Sequence, residues 1–112
     1  MMTKETRTQY RESAYEAFLN DMKSPDQRRR AAALRIQATV YKVTTDTEMM
    51  KNVIAALATI DTAGPIRNLG EVEKAFGEWN AKDAYTMFAP YFAKYLARKM
   101  MATAASLTVY GN

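Results

Sequence analysis

The chain has 112 residues, which is enough for one hydrophobic core, and we expect a single domain over residues 1–112. Apolar residues make up 48% and charged residues 25%, a balance that predicts a folded globular protein. The chain contains no cysteine and no histidine, which excludes disulfides, thiolate metal sites and every Ser-His or Cys-His nucleophile pair. We therefore expect no enzyme active site, no metal site and no cofactor.

The sequence also favours a protein that works away from membranes. Its first residues are largely polar and charged and do not form the apolar core of an export signal. No uncharged apolar run approaches the roughly 20 residues that a membrane-spanning helix needs. We therefore expect a cytoplasmic protein with no membrane partner.

Two amphipathic helices are predicted for the first part of the chain. Apolar residues recur on one face of residues 3–22, at Tyr10, Ala14, Phe18 and Met22. A second helix is predicted over 25–43, with Ser24 as its N-cap, Pro25 at the first helical position and Gln27 completing a capping box. Residues 36–43 are rich in β-branched side chains, so a strand is the alternative for the second half of this helix.

The second predicted helix is apolar on two flanks. One arc holds Ala33, Ile36, Val40 and Val43, and the other holds Ala31, Leu34, Ala38 and Tyr41. Between the arcs lies a narrow stripe of Arg28, Arg35, Thr39 and Lys42. A helix with two apolar flanks is typical of the centre of a bundle or of an interface between subunits. Because so short a chain has few elements to cover both flanks, we expect a homo-oligomer, at least a dimer.

The remaining helices are predicted from capping signals and apolar spacing. Thr45 to Glu48 form a capping box before a third helix, which Gly64 and Pro65 end. A short fourth helix carries Val72, Ala75, Phe76 and Trp79 on one face. The chain restarts at residues 80–83, and Pro90 either kinks the helix that follows or begins a last helix over 91–105. Residues 106–112 form a tail, extended or with a short strand at 108–110.

These elements predict the fold class, an all-α bundle of four to six helices. Its expected core consists of Leu34, Val40, Val53, Ile54, Leu57, Phe76, Trp79, Phe88 and Leu96. The carboxylates between Glu71 and Asp83 alternate with Lys74 and Lys82, which is typical of a solvated helix face rather than a metal site.

Charge is distributed unevenly along the chain. Residues 27–45 and 84–112 contain arginine and lysine and no acidic residue, whereas the remainder of the chain is net acidic. In the last predicted helix Tyr91, Lys94, Tyr95 and Arg98 share one face, with Ala93 and Leu96 on the opposite, core-facing side. Tyrosines interleaved with cations offer stacking surfaces for bases beside contacts for phosphates. The predicted nucleic-acid-binding residues are Arg28, Arg29, Arg30, Arg35, Lys42, Tyr91, Lys94, Tyr95, Arg98 and Lys99.

Two hypotheses of function follow. The first is a non-enzymatic nucleic-acid-binding protein that prefers single strands, with DNA favoured, and serves as an accessory or regulatory factor in transcription or replication. The alternative is a helical adaptor or inhibitor that binds another protein, such as a component of the transcription or replication machinery. In that case the second helix with its two apolar flanks and the methionine-rich patches would form the interface. The structural alternative for Tyr91 and Tyr95 is packing against the first helix or a second subunit.

Overall fold

The computed structural model describes residues 3–62 and 68–94, which form five helices and no strand. Helix α1 spans Lys4–Met22, α2 spans Gln27–Val43, α3 spans Thr47–Thr62 and α4 spans Leu69–Glu78. A fifth helix, α5, occupies 82–94. The predicted all-α class is confirmed, and the second half of α2 is helical rather than extended. No helix within these two ranges is long and apolar enough to cross a bilayer.

The core lies where α3 meets its neighbours. Helix α1 packs against α2 and α3, and α4 packs against α3. Six predicted core residues are buried, namely Val40, Val53, Ile54, Phe76, Trp79 and Phe88. Leu57 is only half-buried, and Leu96 lies outside the described residues. The prediction for Leu34 is wrong, because this side chain is 46% exposed on an arc of α2 that turns away from the core.

The indole of Trp79 joins three helices at the end of α4. Its Nε1 donates a hydrogen bond to the hydroxyl of Thr59 on α3, at 3.0 Å. The ring of Tyr10 on α1 stacks on it with centroids 5.5 Å apart, and the Arg7 guanidinium lies 4.1 Å from the ring centroid. Aromatic pairs and cation–π contacts stabilise a fold beyond the area that they bury. Trp79 therefore fixes α1 and α3 against the end of α4.

The turn after Trp79 sets the direction of α5. Asn80 adopts a left-handed backbone with φ of 52°, a conformation that asparagine tolerates better than most residues. The amide of Ala81 then donates to the carbonyl of Phe76 at 2.8 Å, which closes the end of α4. Ala81 and Ala84 are buried, so α5 begins in close contact with the core.

Helix α5 continues through Pro90, so of the two predicted alternatives a new helix that begins at residue 91 is wrong. A proline inside a helix removes one backbone hydrogen bond, here the one to the carbonyl of Thr86. Thr86 is exposed, so water can satisfy that carbonyl. Phe88 is buried and Phe92 half-buried on either side of Pro90, and their packing holds the helix together.

Asp26, not Ser24, is the N-cap of α2, which begins two residues later than predicted. One carboxylate oxygen of Asp26 accepts from the amides of Arg28 at 3.0 Å and Arg29 at 3.5 Å. The hydroxyl of Ser24 accepts from the amide of Asp26 at 3.1 Å and so supports the cap from outside the helix. A charged acceptor binds free amides more strongly than a hydroxyl does, which explains the shift.

The same correction applies to α3. Sequence spacing predicts a capping box that starts at Thr45, but the amide of Met49 donates to the carboxylate of Asp46 at 3.2 Å. The hydroxyl of Thr44 accepts from the amide of Asp46 at 3.0 Å, as Ser24 does before α2. Both helices thus begin with a hydroxyl residue two positions before a capping aspartate.

Replacing the capping carboxylate should destabilise the protein more than replacing the hydroxyl that the sequence favoured. We expect Asp46→Ala to lower the free energy of unfolding by about 1 kcal/mol, the usual cost of losing an N-cap. Thr45→Ala is the matched control and should change it by less than about 0.5 kcal/mol. Urea unfolding followed by circular dichroism measures both. Equal losses for the two variants would contradict the assignment of Asp46 as the cap.

Candidate nucleic-acid interface

Three cations form a straight stripe along α2. Arg28, Arg35 and Lys42 are exposed and follow one another at seven-residue intervals, which places successive side chains about 10 Å apart on one face. Thr39, predicted in the same stripe, is buried, and its hydroxyl donates to the carbonyl of Arg35 at 3.0 Å. We call Arg28, Arg35 and Lys42 the basic stripe.

The other two predicted arginines of α2 do not belong to this stripe. Arg29 is exposed but lies about 100 degrees around the helix from Arg28. Arg30 is half-buried, and its Nη1 donates to the carbonyl of Ser24 at 2.9 Å. First-turn cations oppose the helix dipole, but the carboxylate of Asp26 offsets this at the same helix end. Arg30 therefore has a local structural role.

On α5 the structure describes the first two predicted binding residues. Tyr91 is 61% exposed, and its ring centroid lies 6.5 Å from that of buried Phe88. Lys94 is exposed one turn further along the helix. The Tyr91 side chain thus projects from the core into solvent, while its ring packs beside that of Phe88. The predicted binding residues Tyr95, Arg98 and Lys99 lie outside the described residues.

The predicted core-facing side of α5 needs a correction. Ala93 is exposed, whereas the buried side is formed by Ala84 and Phe88 with half-buried Phe92. The reason is that α5 begins at residue 82, so the i, i+4 spacing of Ala84, Phe88 and Phe92 sets its orientation. The spacing of the residues after Pro90 alone does not reveal this orientation.

A groove between α2 and α5 brings the two predicted basic segments together. It has a volume of about 310 Å³, and both Arg35 of α2 and Tyr91 of α5 line it. Its other lining residues are largely apolar, namely Ala32, Ile36, Thr39, Leu57, Phe88 and Phe92. A second hollow of about 290 Å³ shares Ala32 and Arg35 with the first and extends along α2 to Arg28. We call these two hollows together the α2–α5 groove.

The chemistry of the α2–α5 groove suits binding. No carboxylate is among the described residues that line it, so the guanidinium of Arg35 has no ion-pair partner within the groove. The one hydroxyl residue among the core-side lining, Thr39, already donates to a carbonyl. An apolar floor, an exposed aromatic ring and two arginines can hold a flat ring and an anionic group. 

Several groove residues were not predicted as part of the site. The sequence predicts core-facing positions for Ile36 and Leu57, and it does not single out Phe92. The i, i+4 spacing of Phe88 and Phe92 is a signal that could have found one wall. The turn at Asn80 determines which helix lies opposite the Phe88 and Phe92 side of α5. The spacing of residues along one helix does not show the direction of that turn.

Two acidic residues that do not line the groove, Glu12 and Glu48, form an ion-pair cluster with cations of α1 and α3. Between α1 and α3, Arg11 pairs with Glu12 at 3.3 Å and with Glu48 at 2.9 Å. Lys51 pairs with the same two carboxylates, at 3.1 and 3.7 Å, while Arg11 also donates to the side-chain oxygen of Asn52. The hydrogen bond from Lys51 lowers the pKa of Glu12 below 4.5, and the same bond raises the pKa of Lys51 above 10.5. This cluster ties α1 to α3.

Within residues 3–62 and 68–94 no three acidic side chains lie close enough together to share a metal ion. Glu73 instead pairs with Lys82 at 3.9 Å on the solvent side of α4.

No family model, curated protein or solved structure matches this chain. The features that bear on function are therefore the geometry of the α2–α5 groove and the charges of the basic stripe.

The Glu12 carboxylate should make stability depend on pH. Because its folded pKa lies below its usual value, its contribution is present above about pH 4.5 and is lost as the pH falls through the folded pKa. We expect Glu12→Gln to be less stable than the parent at neutral pH and to lose less stability on acidification. Urea unfolding at several pH values between about 3 and 7 tests this. Glu16→Gln, a change at an exposed position of α1, is the control, and a parent-like pH profile for Glu12→Gln would contradict the prediction.

Proposed function

We propose that this protein is a non-enzymatic nucleic-acid-binding protein that prefers single strands, with DNA favoured over RNA. Its proposed role is that of an accessory or regulatory factor in transcription or replication. The ligand lies in the α2–α5 groove and along the basic stripe.

One observation carries the proposal. Two segments that are far apart in the chain, both basic and free of acid, meet at one groove, where Arg35 and Tyr91 line the same space. The exposed acids of α1, α3 and α4 are held in ion pairs or lie outside this groove. A surface that combines cations with an exposed aromatic ring attracts a polyanion and can stack on its bases.

The preference for single strands follows from the shape of the site. A base in a duplex is stacked on both faces and cannot reach the ring of Tyr91 or the apolar floor of the groove. An unstacked base can enter, while Arg35 and Arg28 contact phosphates on either side. Contact with Phe88 holds the Tyr91 ring, so less conformational freedom is lost on binding.

The alternative, a protein adaptor or inhibitor, has one observation in its favour. Leu34 and Tyr41 on the outer face of α2 are 46% and 50% exposed, which is unusual for two large apolar side chains on one helix face. Neither of these two side chains lines the α2–α5 groove. The two hypotheses can therefore be tested by changes at different residues.

The direct test is fluorescence anisotropy with labelled single-stranded DNA, duplex DNA and single-stranded RNA. Each is titrated with the full chain at about 50 mM and about 200 mM salt. We expect the tightest binding to single-stranded DNA and a marked loss of affinity at the higher salt concentration. The absence of salt-sensitive binding to all three ligands would exclude the proposal and leave the adaptor hypothesis.

Variants at the groove separate its two kinds of contact. Arg35→Ala should reduce the magnitude of the log-log salt slope by about 0.7, because one phosphate contact is lost. Tyr91→Ala should weaken binding by about 1–3 kcal/mol with the salt slope nearly unchanged, because a stacking surface is lost. Lys74→Ala, which removes an exposed cation of α4 away from the groove, is the matched control.

Circular dichroism checks that each variant keeps the helical content of the parent. If Arg35→Ala and Tyr91→Ala are folded and bind single-stranded DNA as the parent does, the α2–α5 groove is not the site. If Lys74→Ala changes the slope as much as Arg35→Ala does, binding is a property of net charge rather than of the groove.

A further inference from the structure

The outer face of α2 is apolar, and its large side chains are not enclosed by the described helices. It consists of Ala31, Leu34, Ala38 and Tyr41. Leu34 and Tyr41 are about half exposed, Ala38 is exposed and Ala31 is half-buried. At one edge Tyr41 also borders a hollow against α1. We call these four residues the outer face. It lies directly beside the basic stripe around the helix, on the side away from the core.

The order of sizes along this face is self-complementary. Small and large side chains alternate as Ala31, Leu34, Ala38 and Tyr41. If a second α2 lies antiparallel with the two-fold axis at position 36, Leu34 faces Ala38 of the other copy. In the same register Tyr41 faces Ala31, so every large side chain meets a small one. A symmetric contact needs this kind of surface, because each residue contacts a different residue of an identical copy.

We propose that the outer face binds a second copy of this chain through an antiparallel α2–α2 contact centred at position 36. The contact is a symmetric dimer interface in which Leu34 and Tyr41 fill the spaces above Ala38 and Ala31. Close approach is possible because alanine separates the large side chains, and packed helices lie about 8–10 Å apart.

This dimer changes the charge pattern of the molecule. A two-fold axis perpendicular to both helices leaves the two basic stripes on the same side of the helix pair. Arg28 then lies within about 3 Å, along the helix axis, of the level of Lys42 of the second copy, and Arg35 lies equally close to the level of its own counterpart. The result is a two-by-three array of cations with rows about 10 Å apart along the helices.

The charge array makes self-association depend on salt and on anions. The like charges of the two stripes repel each other, so we expect added salt to strengthen the dimer by screening. A single-stranded nucleic acid should strengthen it more, because a polyanion neutralises both stripes; this part rests on the proposed function. A contact of one helix per copy is smaller than the roughly 1,600 Å² of a stable interface, so the free dimer should be weak.

A swap of side chains across the contact tests its register. Sedimentation equilibrium of the full chain measures the monomer–dimer constant at about 50 mM and about 200 mM salt, without nucleic acid. Leu34→Ala leaves alanine facing alanine, and Ala38→Leu places leucine against leucine, so each should weaken the dimer about tenfold or more. The double variant Leu34→Ala with Ala38→Leu restores a large residue facing a small one and should associate within about threefold of the parent.

Both residue types favour helices, so these exchanges keep α2 intact. Met87→Ala, at an exposed methionine of α5, is the matched control and should associate as the parent does. Rescue by the double variant supports the antiparallel register. In that variant alanine at position 34 faces leucine at position 38 of the other copy, so the fit is restored only if these two positions are in contact.

Three results would overturn the inference. The first is a parent chain that stays monomeric at high protein concentration in both salts and with a single-stranded oligonucleotide. The second is a dimer that both single variants leave unchanged or that the double variant fails to restore. The third is a loss of thermal stability by Leu34→Ala in dilute monomer, which would show that the same chain covers the outer face.

The proposed function fails or stands separately. A dimer that obeys the swap but binds no oligonucleotide overturns the proposed function and leaves the dimer. If the parent and Leu34→Ala bind the oligonucleotide with equal affinity and stoichiometry and neither forms a dimer, the dimer is overturned and the proposed function stands.

Discussion

The indole of Trp79 is the contact on which the rest of the arrangement depends. On α1, the ring of Tyr10 stacks on the indole and the guanidinium of Arg7 makes a cation–π contact with it. The indole also donates a hydrogen bond to the hydroxyl of Thr59 on α3. The end of α4 is therefore fixed relative to two other helices before the chain turns at Asn80. Since that turn sends α5 back along the core, the position of Tyr91 opposite Arg35 is a consequence of how Trp79 is held.

Local features of the fold could be predicted from the sequence where one face of a helix decides them. Val72, Ala75, Phe76 and Trp79 are buried because α4 is short and has a single apolar side. Leu34 shows the limit of this reasoning, because α2 has two apolar arcs of similar width and spacing does not say which one meets the core. The answer depends on where α1 and α3 lie, and that is decided by contacts far along the chain.

Helix boundaries show a second limit. Ser24 and Thr45 fit the usual capping pattern, yet Asp26 and Asp46 take the cap, because a carboxylate one or two residues later is the stronger acceptor. Pro90 is a strong stop signal in isolation, but the aromatic packing of Phe88 outweighs one lost hydrogen bond. In both cases the sequence contains two competing signals for the helix boundary, and the pattern alone does not show which of the two is stronger.

For the candidate site, the residue types were predictable and their meeting was not. Arg35 and Tyr91 each belong to a basic, acid-free segment that is visible in the sequence. The groove between them also needs Leu57 from α3 and the wall that α5 forms. Only a three-dimensional arrangement can show that one ligand could contact both segments.

The two proposed surfaces lie next to each other on α2, and this has a physical consequence. The cations that attract a polyanion also repel the same cations on a second copy, so salt acts on the two equilibria in opposite directions. Salt weakens the binding of nucleic acid and strengthens the free dimer. A bound strand removes the conflict, since it neutralises the stripes of both copies at once. By linkage, a ligand that favours the dimer must itself bind the dimer more tightly. In the proposed arrangement the strand and the second copy therefore strengthen each other's binding, although they occupy adjacent faces of α2.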